Sequence, residues 1–203
     1  MRRTEEEAEI TRQRLLKAAL VVFSRQGYAD THLEDIAEEA EVTRGAIYHH
    51  FGGKAKLYNE IVAEGTKRVF PVIKAALDEG GTPLEKLSRI FVRTLVYVEE
   101  DTDFRAIQEL VLFKTAITPE LAVGIEKKIE GTRGTIDFLA QTFQQGIDVG
   151  EVRPNIEPHD AALSFTALQN GLLTLWLFDA SMFSLKEQAE RQADILMQGL
   201  ASR

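Results

Sequence analysis

The chain has 203 residues and no cysteine, which allows one or two domains with a sizeable core, excludes disulfides and cysteine-ligated zinc, and fits a reducing cytoplasm. No apolar run approaches the ~20 residues of a membrane span, and the first residues are charged instead of forming a signal-peptide core, so no membrane association is expected. A formal net charge of −8 repels nucleic acid over most of the surface and excludes a general nucleic-acid coat protein.

Helical periods dominate, and no strand-like alternation is evident. A first helix is expected from about Thr4 to Gln26, with Leu16, Ala19, Leu20 and Phe23 on one face and Gly27 as its stop. Thr31 followed by Glu34 reads as a capping box, with Thr31 as cap. Leu33, Ile36, Ala37 and Ala40 then form the apolar stripe of a two-turn helix. Glu41-Val42 breaks the period. Thr43 can cap a second short helix on which Ile47 and Phe51 share a buried face, leaving Thr43, Arg44, Gly45, Tyr48 and His49 outward. Residues 42–56 contain Arg44, Lys54 and Lys56 and no acid. Two short helices joined by a tight turn, the second exposing polar and basic groups, describe a helix-turn-helix.

Beyond it, a long helix is expected from Lys54 to about Glu79, interrupted by Pro71 and ended by Gly80-Gly81. Further helices are expected over 83–101, 103–115, 119–149, 158–178 and 184–201. The fold class is therefore all-α with about nine helices: a three-helix head and a larger helical domain, with a domain boundary at 55/56. Residues 1–56 carry a net charge of −1 and residues 57–203 a net of −7, so DNA contact falls to the N-terminal part.

No catalytic constellation or cofactor motif emerges, and an enzyme is not expected. His49 and His50 diverge by about 100° on a helix and cannot chelate one metal well. Gly131-Thr132-Arg133-Gly134 lacks phosphate-loop spacing and a preceding strand.

Thr31 to Lys54, and above all Val42-Thr43-Arg44-Gly45-Ala46-Ile47-Tyr48 followed by His50-Phe51, strongly resembles the DNA-binding segment of the tetracycline-repressor family of bacterial transcription regulators. The segment is most similar to the family's multidrug-efflux repressor branch, as are the Arg2-Arg3-Thr4 opening and Leu175-Trp176-Leu177. Two positions depart from the pattern. Glu41 stands where the family usually has a glycine, at roughly 1 kcal/mol if a left-handed backbone is kept, and His49 replaces a larger aromatic residue.

Arg44 is the candidate for reading guanine, because its fork matches two major-groove acceptors. Thr43 can donate to phosphate or touch a thymine methyl, and Gly45 lets the helix approach base edges. Tyr48 and His50 can donate to phosphate, as the resemblance also implies, and Lys54 suits a phosphate at the next helix start. Thr31 is a further phosphate candidate if it is not only a cap, and His49 lies on the same outward face. Arg2 and Arg3 could reach a minor groove or remain a solvated end.

One helix-turn-helix covers few base pairs, so a homodimer on a palindromic double-stranded operator is expected. The last two helices are its expected interface, through Leu168, Leu172, Leu175, Trp176, Ile195 and Leu196, although at least half of this apolar set must be core. The resemblance implies that part of the C-terminal domain lines a cavity for a hydrophobic inducer. Phe70, Ile73, Phe91, Phe113 and Phe138 are apolar candidates; Gln108, Thr166, Gln169 and Asn170 are polar ones. The expected function is a ligand-responsive transcriptional repressor of the efflux type. A regulator without a small-molecule ligand, or an all-α lipid- or small-molecule-binding module, are the alternatives.

Overall fold

The computed structural model describes residues 2–202, with side chains from Glu5 onward, so the Arg2-Arg3-Thr4 arm lies outside the described side chains. Among the described residues, nine α-helices and one 3-10 turn follow in chain order. They are α1 (Arg2–Asp30), α2 (Leu33–Glu39), α3 (Arg44–Phe51), α4 (Lys54–Asp78), α5 (Pro83–Glu100), α6 (Thr102–Phe113), the 3-10 turn Pro119–Leu121, α7 (Ala122–Asp148), α8 (Pro158–Phe178) and α9 (Leu185–Leu200). Their only β feature is an isolated antiparallel bridge between Val152 and Ala201.

The chain divides into two compact units, Met1–Lys67 with Thr102–Ile125, and Arg68–Asp101 with Glu126–Arg203. In the first, one continuous core takes Leu16, Ala19, Leu20 and Phe23 from α1, Ile36 and Ala37 from α2, and Ile47 and Phe51 from α3. Leu57, Tyr58 and Ile61 of α4, Ile107 and Leu110 of α6, and Leu121 belong to the same core. The head is thus broader than three helices. The periodicity identified which residues α1 to α3 bury, but no local signal could bring in α6, which is distant in sequence.

Gly27 explains how α6 joins. Its backbone (φ 79°, ψ 169°) lies in a region essentially reserved for glycine, and it breaks α1 where a stop was expected, with one further turn following. The Tyr28 amide donates to the Lys114 carbonyl at 3.0 Å, and a Cβ on Gly27 would stand 3.1 Å from that same oxygen. Lys114 Nζ in turn donates to the Ser24 carbonyl. Behind this joint the rings of Phe23, Tyr28 and Tyr58 meet at centroid distances of 5.0–5.8 Å. Burial pushes both tyrosine hydroxyls above their ordinary pKa.

The second unit packs α5, α8 and α9 together around Phe91, which meets Phe165 edge-on at 5.1 Å, with Phe143 at 6.4 Å from Phe165. A complete capping box starts α5: the Thr82 hydroxyl accepts from the Glu85 amide at 3.3 Å and the Glu85 carboxylate accepts from the Thr82 amide at 2.9 Å. The end of α9 is fastened by the Arg153 amide on the Leu200 carbonyl and the Ser202 amide on the Glu151 carbonyl. The division between the units falls inside α4 at Lys67–Arg68, next to the carbonyl that Pro71 deprives of its helical partner.

α8 corrects the reading of apolar runs. Its 21 residues hold an 18-residue stretch of mean hydropathy 1.3, long and apolar enough by length and composition alone to cross a membrane. The chain itself buries only Ala161, Ala162, Phe165 and Trp176 of this helix and leaves the rest half-buried or exposed.

Candidate nucleic-acid interface

The start of α2 differs by one residue from the expected cap. His32 is the cap residue, with extended backbone, and the Asp35 carboxylate accepts from its amide at 3.2 Å. Thr31 is only 1% exposed and its hydroxyl donates to the Gly27 carbonyl at 2.7 Å. It braces the turn after Gly27 from inside, which corrects both its capping role and its place among the outward DNA contacts. The extra turn at Tyr28–Asp30, invisible in the hydrophobic pattern, is what shifts the register.

α2 ends in a turn in which the Val42 amide donates to the Ala37 carbonyl at 2.9 Å and the Glu41 amide to the Glu38 carbonyl at 3.0 Å. Glu41 sits at φ 51°, the one non-glycine in the left-handed region among the described residues. The backbone therefore keeps a conformation that suits glycine and imposes it on glutamate.

Thr43 then stands at the cap of α3 with an extended backbone and no capping hydrogen bond from its side chain, which leaves the hydroxyl outward. Ile47 is fully buried and Phe51 nearly so, as their spacing requires, and they hold α3 onto the core. Arg12 backs this anchorage, with its guanidinium 5.6 Å from the Phe51 ring centre and 2.6 Å from the Glu60 carboxylate. The opposite face presents Thr43, Arg44, Gly45, Tyr48 and His49 to solvent, and His50 is half-buried beside the His49 ring. Gly52, at φ 76°, caps α3 by donating to the Tyr48 carbonyl at 2.9 Å and turns the chain into α4.

The cations of this face are held in place. Arg44 donates through Nη1 to the Glu34 carboxylate of α2 and through Nη2 to the Tyr48 hydroxyl at 3.0 Å, with its guanidinium carbon 5.4 Å from the Tyr48 ring centre. Both partners, Tyr48 first, raise its pKa further and keep it charged. Lys54 Nζ donates to the Ala29 carbonyl at 3.0 Å and lies 4.6 Å above the Tyr28 ring. An ammonium has three donors, so two remain for a phosphate. Lys56, exposed and lying over Gly52, is a further cation of this face. The lack of acids across residues 42–56 was the signal that could have assigned it.

The inducer candidates are divided between the two units. Gln108 and Phe113 belong to the first unit, and Phe70, Ile73, Phe91, Phe138, Thr166, Gln169 and Asn170 to the second. Within the second, Gln169 Nε2 donates to Thr94 Oγ1 at 2.5 Å and to the Phe91 carbonyl at 3.3 Å, a polar spot beside the aromatic core. Thr94, in the middle of the amphipathic α5, was missed. The Thr166 hydroxyl donates to its own helix at Ala162, Asn170 is exposed, and Phe70 is 64% exposed. Of the interface candidates, Leu175 and Ile195 are 50% and 63% exposed, while Leu168, Leu172 and Leu196 are half-buried. Trp176 is 3% exposed within the chain, so it is core and not an outward contact, a correction to its assignment.

A short α2, a tight turn and an anchored, acid-free α3 with its polar face outward form a helix-turn-helix, the arrangement of DNA-binding regulators. Residues 15–61 match the tetR family of bacterial regulatory proteins, and residues 82–201 match the C-terminal region of MAATS-type transcriptional repressors. The chain is 31% identical over 198 residues to the HTH-type transcriptional regulator AcrR of Shigella flexneri, covering 97% of this chain and 92% of that one. Its fold is similar to that of NalD, the secondary repressor of the MexAB-OprM multidrug efflux pump in Pseudomonas aeruginosa (TM-score 0.85, 28% identity, 97% and 98% coverage). It is also similar to SmeT of Stenotrophomonas maltophilia in complex with triclosan (TM-score 0.82, 26% identity, 95% and 92% coverage). The chain belongs to the tetR family of transcriptional regulators.

Proposed function

We propose that this protein is a cytoplasmic repressor that binds a palindromic operator as a homodimer and leaves it when a hydrophobic small molecule binds. The regulated operon would encode an efflux system, as for NalD and SmeT. The observation that carries this reading is the face of α3, exposed at Thr43, Arg44, Gly45, Tyr48 and His49 and fixed from behind by Ile47 and Phe51.

DNA contact is assigned to residues 1–55 together with the adjoining Lys56, and ligand binding and dimerisation to the rest of 56–203. Arg44 reads a guanine, Thr43 and Gly45 lie against neighbouring bases, and Tyr48, His50, Lys54 and Lys56 take phosphates. The triclosan-bound relative supports a hydrophobic ligand, and the aromatic core with Gln169 and Thr94 beside it offers apolar walls with convergent polar groups. The exposed Leu175 and Ile195 on α8 and α9 supply an apolar face for a second copy.

Binding of the wild type and of Arg44→Ala and Lys54→Ala to single-base variants of the operator tests the assignment. Arg44→Ala should lose ~1–3 kcal/mol and relax one operator position, while Lys54→Ala should weaken every sequence alike. Unchanged discrimination in Arg44→Ala would refute it.

A further inference from the structure

Glu34 has no place in a contact surface read from α3 alone. It stands in the first turn of α2, its side chain 58% exposed, and its carboxylate takes Nη1 of Arg44, itself 54% exposed. The Tyr48 hydroxyl takes Nη2 at 3.0 Å. The two outer nitrogens of the guanidinium are thus both matched to acceptors of the protein, one of them anionic, and the side chain lies back along Tyr48. A guanine edge or a pair of phosphate oxygens offers a fork of the same chemistry. Glu34 is therefore an internal competitor for the group that DNA must recruit, set on the approach face of the head.

Building on the operator-binding reading above, we propose that Glu34 sets operator affinity by holding Arg44 in a retracted ion pair that DNA must displace. Each head is weakened by the free energy of that pair, and a lone head is weakened most in relation to what it can gain. On a mismatched duplex Arg44 stays on Glu34 and neutralises no phosphate. Removing the carboxylate frees Arg44 for bases and phosphates alike. An exposed ion pair supports an effect of about two- to fivefold per head, or about four- to 25-fold for a dimer using both.

The test uses full-length protein and two duplexes: the palindrome this protein selects from a randomised pool, and a scrambled duplex of equal length and composition. Both are titrated across salt with the wild type, Glu34→Gln, Arg44→Ala, and Arg44→Ala combined with either Glu34→Gln or Glu38→Gln. Glu34→Gln should bind the palindrome more tightly by the stated factor without a fall in its preference over the scrambled duplex. Its salt dependence on the scrambled duplex should steepen by up to ~1 per head as Arg44 becomes available to phosphate. In the Arg44→Ala background, Glu34→Gln should do no more than Glu38→Gln, which removes an equal charge from α2. Weaker palindrome binding by Glu34→Gln, no change, or the same gain with and without Arg44 overturns the inference and leaves operator binding intact. A wild type that does not prefer the palindrome takes down both.

Discussion

Replacing Glu41 by glycine should stabilise the protein even though it removes a side chain. The residue holds φ 51° at the turn between α2 and α3, and its side chain is exposed. The turn is closed by backbone bonds, Glu41 to Glu38 and Val42 to Ala37, which glycine preserves. A non-glycine residue in the left-handed region costs ~1–2 kcal/mol. Glycine returns ~0.4–1 kcal/mol of that through the extra freedom of the unfolded chain. The net gain is about 0.5–1 kcal/mol, or about 1–4 °C in melting temperature for a chain of this size. Glu41→Asn, whose side chain tolerates this conformation, should fall between glycine and the wild type. Glu41→Val should melt below the wild type, because a β-branched side chain fits the region worst. Thermal and denaturant unfolding of the four proteins checks the order. A glycine variant melting at or below the wild type, with valine unchanged, would show that the turn stores no such strain.

Other positions carry equally specific expectations. Gly27→Ala should destabilise by about 1–3 kcal/mol in denaturant unfolding, since alanine must adopt a glycine-only backbone with its Cβ against the Lys114 carbonyl. Leu175→Glu with Ile195→Glu should leave each protomer folded but shift sedimentation to the monomer. Trp176→Ala should instead lower protomer stability by ~3–5 kcal/mol, as a large buried side chain does. The Glu79 carboxyl is held below its ordinary 4.5 chiefly by the hydrogen bond from Arg93 at 2.7 Å, with the charges of Arg93 and Arg89 adding to it. A depressed carboxyl adds stability above its unfolded pKa and loses it as pH falls through the folded value. The melting temperature of the wild type should therefore drop more between about pH 5 and pH 3 than that of Glu79→Gln.

Much of this architecture is written locally. The spacing of Ile47 and Phe51 decided which side of α3 faces inward, and so which residues face out, because a helix offers only one buried stripe. Glu41 was legible as a misfit only through the family resemblance, which puts a glycine at this turn, and its left-handed backbone gives the physical reason. Thr31 misled for the opposite reason. A threonine three residues before a glutamate satisfies the capping pattern, but the turn beyond Gly27 moved the helix start and gave its hydroxyl a nearer acceptor. Contacts between distant segments left no local trace. Neither the Gly27–Lys114 joint, the capture of Arg44 by Glu34, nor the membership of Gln108 and Phe113 in the first unit follows from periodicity. Trp176 shows the limit within one helix, since α8 is apolar on several sides and composition alone does not say which side is covered by its own chain.

The central claim is that two α3 faces read a symmetric operator and that a hydrophobic ligand releases them. Selection of bound fragments from a randomised duplex pool, with and without a panel of hydrophobic compounds, tests it most directly. The account predicts enrichment of one palindrome with half-sites about one helical turn apart, and loss of that enrichment in the presence of at least one compound. Recovery of no palindrome, or of one retained equally with every compound, would contradict it.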